Sequence, residues 1–237
     1  MVRLGHAGPR GATEPADRGV DLPLRTGGWP LVAASAVRYA PFGVIPATLD
    51  RAGMARVRDA FAAAAERAAD AGFDALELDA AHGYLLASFL SPLTNHRDDG
   101  YGGSAENRLR FPLEVLAAIR DRWPADRLLA VRLSVTDWAR GGLSVDDGIE
   151  VARAMSDGGA RLVHVEAGQT VAAGQPEYRR GYLTTISDRV RSEAGVPTLV
   201  GGYLTTLDEV NTIVAAGRAD LCLLEPATPG PDRGLWP

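Results

Sequence analysis

A chain of 237 residues with 46% apolar and 23% charged side chains can bury one large core, and α/β barrels of this size often form a single domain. Its net charge of −5, with arginines spread along the chain, argues against nucleic acid as a partner, which needs a concentrated basic face. The single cysteine, Cys222, excludes an internal disulfide framework, no apolar run approaches the ~20 residues of a membrane span, and no signal-peptide pattern opens the chain, so a cytoplasmic location is expected.

Val2 to Gly8 reads as a short strand that breaks into a glycine turn. From Pro9 to Pro46 periodicity is weak and glycine and proline are frequent, with Trp29 to Ser35 as a candidate strand; so long a loop is usually functional or partly disordered. Thr48 to Gly72 carries Leu49, Met54, Val57, Phe61, Ala64, Ala65 and Ala68 at helical spacing. The run Phe73 to Leu78 then reads as a buried strand. The same unit recurs: helix Asn107 to Trp123, strand Leu128 to Ser134; helix Ser144 to Gly159, strand Ala160 to Glu166; helix Tyr182 to Ala194, strand Val196 to Gly201; helix Leu207 to Ala216, strand Ala219 to Leu224. Ser144 with Asp146 and Asp147 makes a favourable helix start. Alternation of this kind predicts a parallel α/β architecture of βα units. About six strands are counted where a closed (β/α)8 TIM barrel has eight. The expectation is therefore an incomplete (β/α)8 barrel over 1–224 whose first two strands are missing, followed by an irregular Pro- and Gly-rich tail over 225–237.

In βα proteins chemistry gathers where strands end at their C-terminal side. After Phe73 to Leu78 come Asp79, His82 and Tyr84. A histidine beside a tyrosine at such a place offers two donors to a pocket; a satisfied structural histidine with a half-buried tyrosine is the bland alternative. For Asp79 the simple role is to cap the loop or to pair with an arginine. Arg132, in an otherwise apolar strand, must be met by a fixed acid or by an anionic ligand, because an unpaired buried charge costs several kcal/mol. The ligand is the favoured partner. Gly201-Gly202 follows a strand as a phosphate cradle would, or as a plain tight turn. Arg97, Asp99, Tyr101, Glu106, Asn107 and Arg108 read as a self-satisfied network fixing a loop. Cys222, in an apolar run, reads as a small core residue, and no residue set reads as a metal site.

The order His82-Gly83-Tyr84-Leu85, Phe89-Leu90-Ser91-Pro92-Leu93-Thr94-Asn95-His96-Arg97, Asp99, Tyr101-Gly102-Gly103-Ser104 and Glu106-Asn107-Arg108 resembles the old yellow enzyme family. Leu4-Gly5-His6-Ala7-Gly8, Arg132 with Ser134, and Gly217-Arg218-Ala219-Asp220 support the likeness, which runs from Val2 to Leu224. Trp29-Pro30-Leu31 and Val210-Asn211-Thr212-Ile213 further resemble the reductase module of salicyloyl-CoA or 2-aminobenzoyl-CoA monooxygenase/reductases. The resemblance implies FMN on a (β/α)8 barrel, NAD(P)H as reductant, and hydride delivery to an α,β-unsaturated or dearomatised carbonyl substrate. It implies that Arg132 contacts the flavin N1/O2 edge, that Gly201 and Gly202 touch the phosphate, that His82 binds the carbonyl and that Tyr84 donates the proton.

Four positions depart from the family pattern. Arg3 stands where glutamine is usual, and Asp79 where histidine or asparagine pairs with His82 in substrate binding. Glu225-Pro226 replaces a phosphate-gripping glycine and arginine, and Glu166 adds a negative charge. Each lost charge-assisted contact weakens FMN binding by about one to a few kcal/mol. Two readings follow: an FMN-dependent ene-reductase-type oxidoreductase, and a flavin-free barrel that uses Asp79, His82 and Tyr84 in acid–base chemistry or binds a carbonyl metabolite. An open sheet also predicts a homo-oligomer or a partner completing the barrel.

Overall fold

The computed structural model describes residues 1–173 and 178–225. In chain order the strands are β1 (Val2–Leu4), β2 (Val32–Ala33), β3 (Ala47–Thr48), β4 (Ala75–Ala80), β5 (Leu128–Ser134), β6 (Leu162–Glu166), β7 (Thr198–Val200) and β8 (Leu221–Cys222). The helices are α1 (Arg51–Asp70), α2 (Leu85–Leu90), α3 (Ala105–Arg120), α4 (Val145–Asp157), α5 (Thr184–Arg189, continued by a π-helical turn over Val190–Ala194) and α6 (Leu207–Ala215). Six strands form one parallel sheet in the order β1-β4-β5-β6-β7-β8, while β2 and β3 pair separately. This is an incomplete (β/α)8 barrel, open between β1 and β8.

The six strands of the sheet are those expected from the sequence, with ends shifted by up to two residues. Two elements went unread. All six residues of α2 are buried, so no polar face gives the segment a helical period. Strand β3 is two residues long and too short to show a pattern. The tail, apart from Glu225, lies outside the described residues. Cys222 is half-buried on an edge strand and packs against the main core.

Helix starts follow from their caps. Asp50 accepts the Gly53 N–H at 2.6 Å to open α1, and Ser104 does the same for Asn107 at 3.2 Å in α3. Capping boxes open α4 (Ser144 with Asp147) and α6 (Thr206 with Glu209). The loop at Arg97 is self-satisfied, as the sequence suggested. Its guanidinium grips Asp99 at 2.9 and 2.6 Å and also reaches the carbonyls of Ala34 and Leu49, at 3.0 and 2.7 Å.

Side chains alternate across a strand, and here the two faces of the sheet differ in kind. Toward the helices point Leu76, Leu78, Leu129, Val131, Leu133, Val163 and Val165, all buried in the main core. Toward the barrel axis lies only a thin apolar layer of Leu128, Ala130, Leu162 and Leu199. Other positions on that face hold Arg3, Glu77, Asp79, Arg132, His164 and Glu166, brought into adjacent register by the ladder Asp79–Arg132–His164 and the pairs Arg3–Glu77 and Ser134–Glu166. The sheet therefore carries charge where barrels usually carry branched aliphatic residues. Among the described residues no helix is long and apolar enough to cross a membrane.

Helix α4 rests on the backbone just beyond β5 through Gly148, where an added Cβ would lie 1.9 Å from the Val135 carbonyl oxygen. Backbone cannot yield as a side chain can. Gly148→Ala is expected to cost about 3 kcal/mol by overpacking, measured by urea unfolding, whereas Gly100→Ala, with open space around it, should stay within about 0.5 kcal/mol of wild type.

Candidate active site

The charges on the inner face are met by one another. Arg132 donates to Glu166 Oε1 from Nε (3.1 Å) and Nη2 (2.7 Å), and to Asp79 Oδ2 from Nη1 (3.3 Å). The expectation that an anionic ligand would answer Arg132 is thus corrected: two fixed acids on the flanking strands do so. Glu77, fully buried, takes Arg3 Nε and the Nδ1–H of His164, the latter at 2.8 Å. Burial would raise the Glu166 carboxyl, but the hydrogen bond from His82 and the charge of Arg132 outweigh it and hold the group well below the usual carboxylate range. Burial raises Glu77 too, and there His164 and Arg3 win.

His82 sits past the end of β4 in a left-handed conformation (φ 54°), followed by Gly83 (φ 69°), so the chain folds back over the sheet. Three contacts fix it. Its N–H donates to Ser134 Oγ at 2.9 Å, its carbonyl accepts from Arg10 Nη1 at 2.7 Å, and its Nε2 lies 3.5 Å from Glu166 Oε2. Burial lowers the pKa of the imidazole despite the pull of Glu166, which keeps it neutral near pH 7. Nδ1 is buried without a partner, so the geometry assigns the proton to Nε2, facing Glu166.

Arg10, in the aperiodic loop after β1, was not read as a site residue. It is buried, clamps Asp21 at 3.0 and 2.8 Å, and lies 4.2 Å and 5.2 Å from the ring centroids of Tyr39 and Tyr84. The loop's work is to hold the His82 backbone. Tyr84 packs here, half-buried at the start of α2.

A cavity of about 520 Å³ opens at the C-terminal ends of the strands. Arg3, Arg132, His164, His82 and Glu166 form one wall; Gly201, Gly202, Leu223, Leu224 and Glu225 form another; Gln169, Tyr178, Tyr182 and Tyr203 close the side. The three tyrosines touch, with centroids 5.5 to 6.1 Å apart. Burial, with Glu166 next, pushes the Tyr182 hydroxyl well above its ordinary value, so it makes a poor acid. Asp79 and Tyr84 are not among the lining residues. Asp79 is committed to Arg132 and to the Ala81 N–H at 3.1 Å, so it both pairs with an arginine and caps its own loop.

The description of the NADH:flavin oxidoreductase / NADH oxidase family matches residues 32–224. The chain belongs to this family. The NADPH dehydrogenase of Listeria welshimeri is 37% identical over 223 residues, which cover 94% of this chain and 61% of that protein. Among solved structures, 2-naphthoyl-CoA reductase in complex with 2-naphthoyl-CoA superposes with a TM-score of 0.77 at 29% identity, covering 84% of this chain and 31% of the other. The old yellow enzyme homologue from Zymomonas mobilis superposes with a TM-score of 0.70 at 26% identity, covering 93% of this chain and 61% of the other. The chain thus spans about three-fifths of the length of the curated relative.

A flavin oxidoreductase site must accept a flat heteroaromatic ring rimmed with acceptors. The cavity suits one: guanidinium donors from Arg3 and Arg132 stand on one wall, tyrosine rings on another, and the volume is of the size that small-molecule sites use. Gly201 and Gly202 line the far wall as expected, and the next N–H of the turn, that of Tyr203, donates to Glu225 Oε1 at 3.1 Å. The residues fit the ring of the cofactor; the end of the cavity beside the turn is acidic.

Sequence reasoning singled out Asp79, His82, Arg132 and Glu166, and the fold brings them together. It passed over His164, Glu77 and the three tyrosines. The signal for the first two was present in Leu76-Glu77-Leu78-Asp79 and Val163-His164-Val165-Glu166, where polar residues alternate with apolar ones and so share one face. Arg132→Ala is expected to destabilise the protein by about 3–5 kcal/mol at pH 7, because it leaves two acids buried without their counter-charge. Glu166 contributes stability in full above the ordinary carboxylate value of about 4.3 and loses it as pH falls toward its lower folded-state value. The gap between wild type and variant in urea midpoints should therefore narrow below about pH 4.3.

Proposed function

We propose that this chain forms the catalytic face of a flavin-dependent, NAD(P)H-reduced oxidoreductase of the ene-reductase type, acting on an α,β-unsaturated or dearomatised carbonyl compound. The observation that carries the reading is that Arg3, Arg132 and His82 line one cavity at the C-terminal ends of the strands. The names of the relatives, NADPH dehydrogenase and 2-naphthoyl-CoA reductase, support the reductant and the kind of substrate.

The bound flavin would supply the hydride. The residues of this chain have other tasks. Arg132 and Arg3 would hold the acceptor edge of the ring, Arg132 itself fixed from both sides by Asp79 and Glu166. His82, neutral and braced by Arg10 and Ser134, would turn its Nε2–H from Glu166 to the substrate carbonyl and polarise it. Glu166 would keep that ring oriented. The tyrosines and Leu223 would exclude water from the side. Closure of the sheet between β1 and β8 would come from a second copy or a partner chain.

One observation favours the flavin-free reading, acid–base chemistry on a carbonyl metabolite or its binding: Arg132 has no unanswered charge to offer a cofactor. Incubation with flavin followed by gel filtration separates the two. Retention of the yellow absorbance band, with NADPH-dependent reduction of a cyclic enone, is the expected outcome; a colourless protein would sink the redox reading. In the reducing assay His82→Ala should lower kcat/KM by about 10²-fold or more, and Tyr84→Phe, altered outside the cavity, should stay within about twofold of wild type.

A further inference from the structure

Reducing an activated alkene takes a proton as well as a hydride, and the residue expected to give it, Tyr84, does not line the cavity. The Tyr84 ring packs near the Arg10 guanidinium instead. Three other tyrosines do line the cavity. Burial, followed by a neighbouring carboxylate, makes Tyr182 and Tyr203 more reluctant to lose a proton, Glu166 acting on the first and Glu225 on the second. Tyr178 differs from both in what its hydroxyl touches.

Gln169 decides which way that hydroxyl can face. It is buried and left-handed (φ 57°) directly after Gly168, a backbone that persists only where the surroundings hold it. Its Oε1 accepts from Arg10 Nη1 at 3.4 Å, and its Nε2 donates to the Tyr178 hydroxyl at 3.1 Å. A guanidinium offers donors only, so the amide oxygen must face Arg10 and the amide N–H must face the tyrosine. The Tyr178 oxygen is therefore the acceptor in that bond. Its own proton is not used there, and among the described residues no acceptor takes it. The same Arg10 nitrogen also donates to the His82 carbonyl at 2.7 Å. One guanidinium thus ties the histidine that would polarise a carbonyl to a tyrosine with a proton to give.

The rest of the surroundings suit a proton donor. The Tyr178 ring stands edge-on to Tyr182 and Tyr203, at 5.5 and 6.0 Å between centroids, which fixes its direction. The Gln169 N–H bond strengthens as negative charge develops on the tyrosine oxygen. Tyr178 is 40% exposed, so water can return the proton after each turnover.

We propose that Tyr178 is the catalytic acid of this site, with Gln169 and Arg10 as the residues that position its hydroxyl. The proposal rests on the ene-reductase reading above. In the step, the β-carbon of the enone takes a hydride from the reduced flavin, and the alkene π pair forms a bond from the α-carbon to the Tyr178 proton. The O–H pair stays on the tyrosine oxygen, which regains a proton from water; NAD(P)H reduces the flavin again.

The test is rapid mixing of the flavin-loaded full chain, first with NADPH and then with cyclohexenone, following the flavin absorbance. Tyr178→Phe keeps the ring and its packing. It should leave reduction by NADPH unchanged and slow reoxidation by the enone by about 10²-fold or more. Affinity of the oxidised protein for the enone, read from the shift of the flavin band, should stay within about threefold, because a proton given only in the transition state does not hold the ground state. Gln169→Glu, whose carboxylate can only accept, would draw the Tyr178 proton away from the cavity and should slow the same step by at least about tenfold. Reoxidation of Tyr178→Phe at the wild-type rate, or a loss of affinity as large as the loss of rate, would overturn the proposal and leave the flavin reading standing. A chain that takes up no flavin would end both.

Discussion

Everything on the inner face of this sheet depends on how a guanidinium in the middle of β5 is neutralised. Arg132 is almost wholly buried, and a lone charge there would cost several kcal/mol. Parallel pairing solves the problem by register alone: Asp79 of β4 and His164 of β6 fall opposite Arg132, and Glu166 lies two residues beyond His164 on the same face. The arginine is thereby held between acids from both neighbouring strands. Remove it and the acids repel; remove either acid and the guanidinium loses a fixed direction. Charged side chains in such a place specify geometry more than they add stability.

That arrangement determines what His82 can be. Glu166 answers Arg132 with Oε1 and faces His82 with Oε2, so one carboxylate orients both a cation and an imidazole. With its negative charge already matched, Glu166 does not pull His82 into the protonated form against the effect of burial. The outcome is a neutral ring with its N–H directed toward the cavity wall, held from behind by Arg10, whose own charge is met by Asp21 and two tyrosine rings. Neutral donors backed by paired charges are suited to polarising a carbonyl without forming a salt with it. The family to which the chain belongs is one of flavin oxidoreductases.

Much of this was legible in the sequence, for identifiable reasons. The helix–strand alternation was plain because the outer face of each strand and one face of each long helix are apolar. Asp79, His82 and Arg132 stood out because polar residues in an apolar strand need an explanation. The partner of Arg132 was misjudged because register is a property of the sheet: Asp79 lies 53 residues before it and Glu166 34 after. Arg10 escaped notice because nothing in a glycine- and proline-rich loop reveals that it ends beneath His82. Helix α2 escaped because a fully buried helix has no polar side to set its period. Tyr178, Tyr182 and Tyr203 come from two different loops and meet only in space.

The central claim is that the inner-face charges satisfy one another and leave His82 neutral with its proton on Nε2. Imidazole ¹⁵N spectra of the folded chain, recorded against pH and assigned with His82→Gln, test it directly. The account predicts that His82 shows the Nε2–H tautomer at pH 7 and protonates only below the ordinary histidine value of about 6.5. A His82 that is already protonated at pH 7, or that carries its proton on Nδ1, would contradict it.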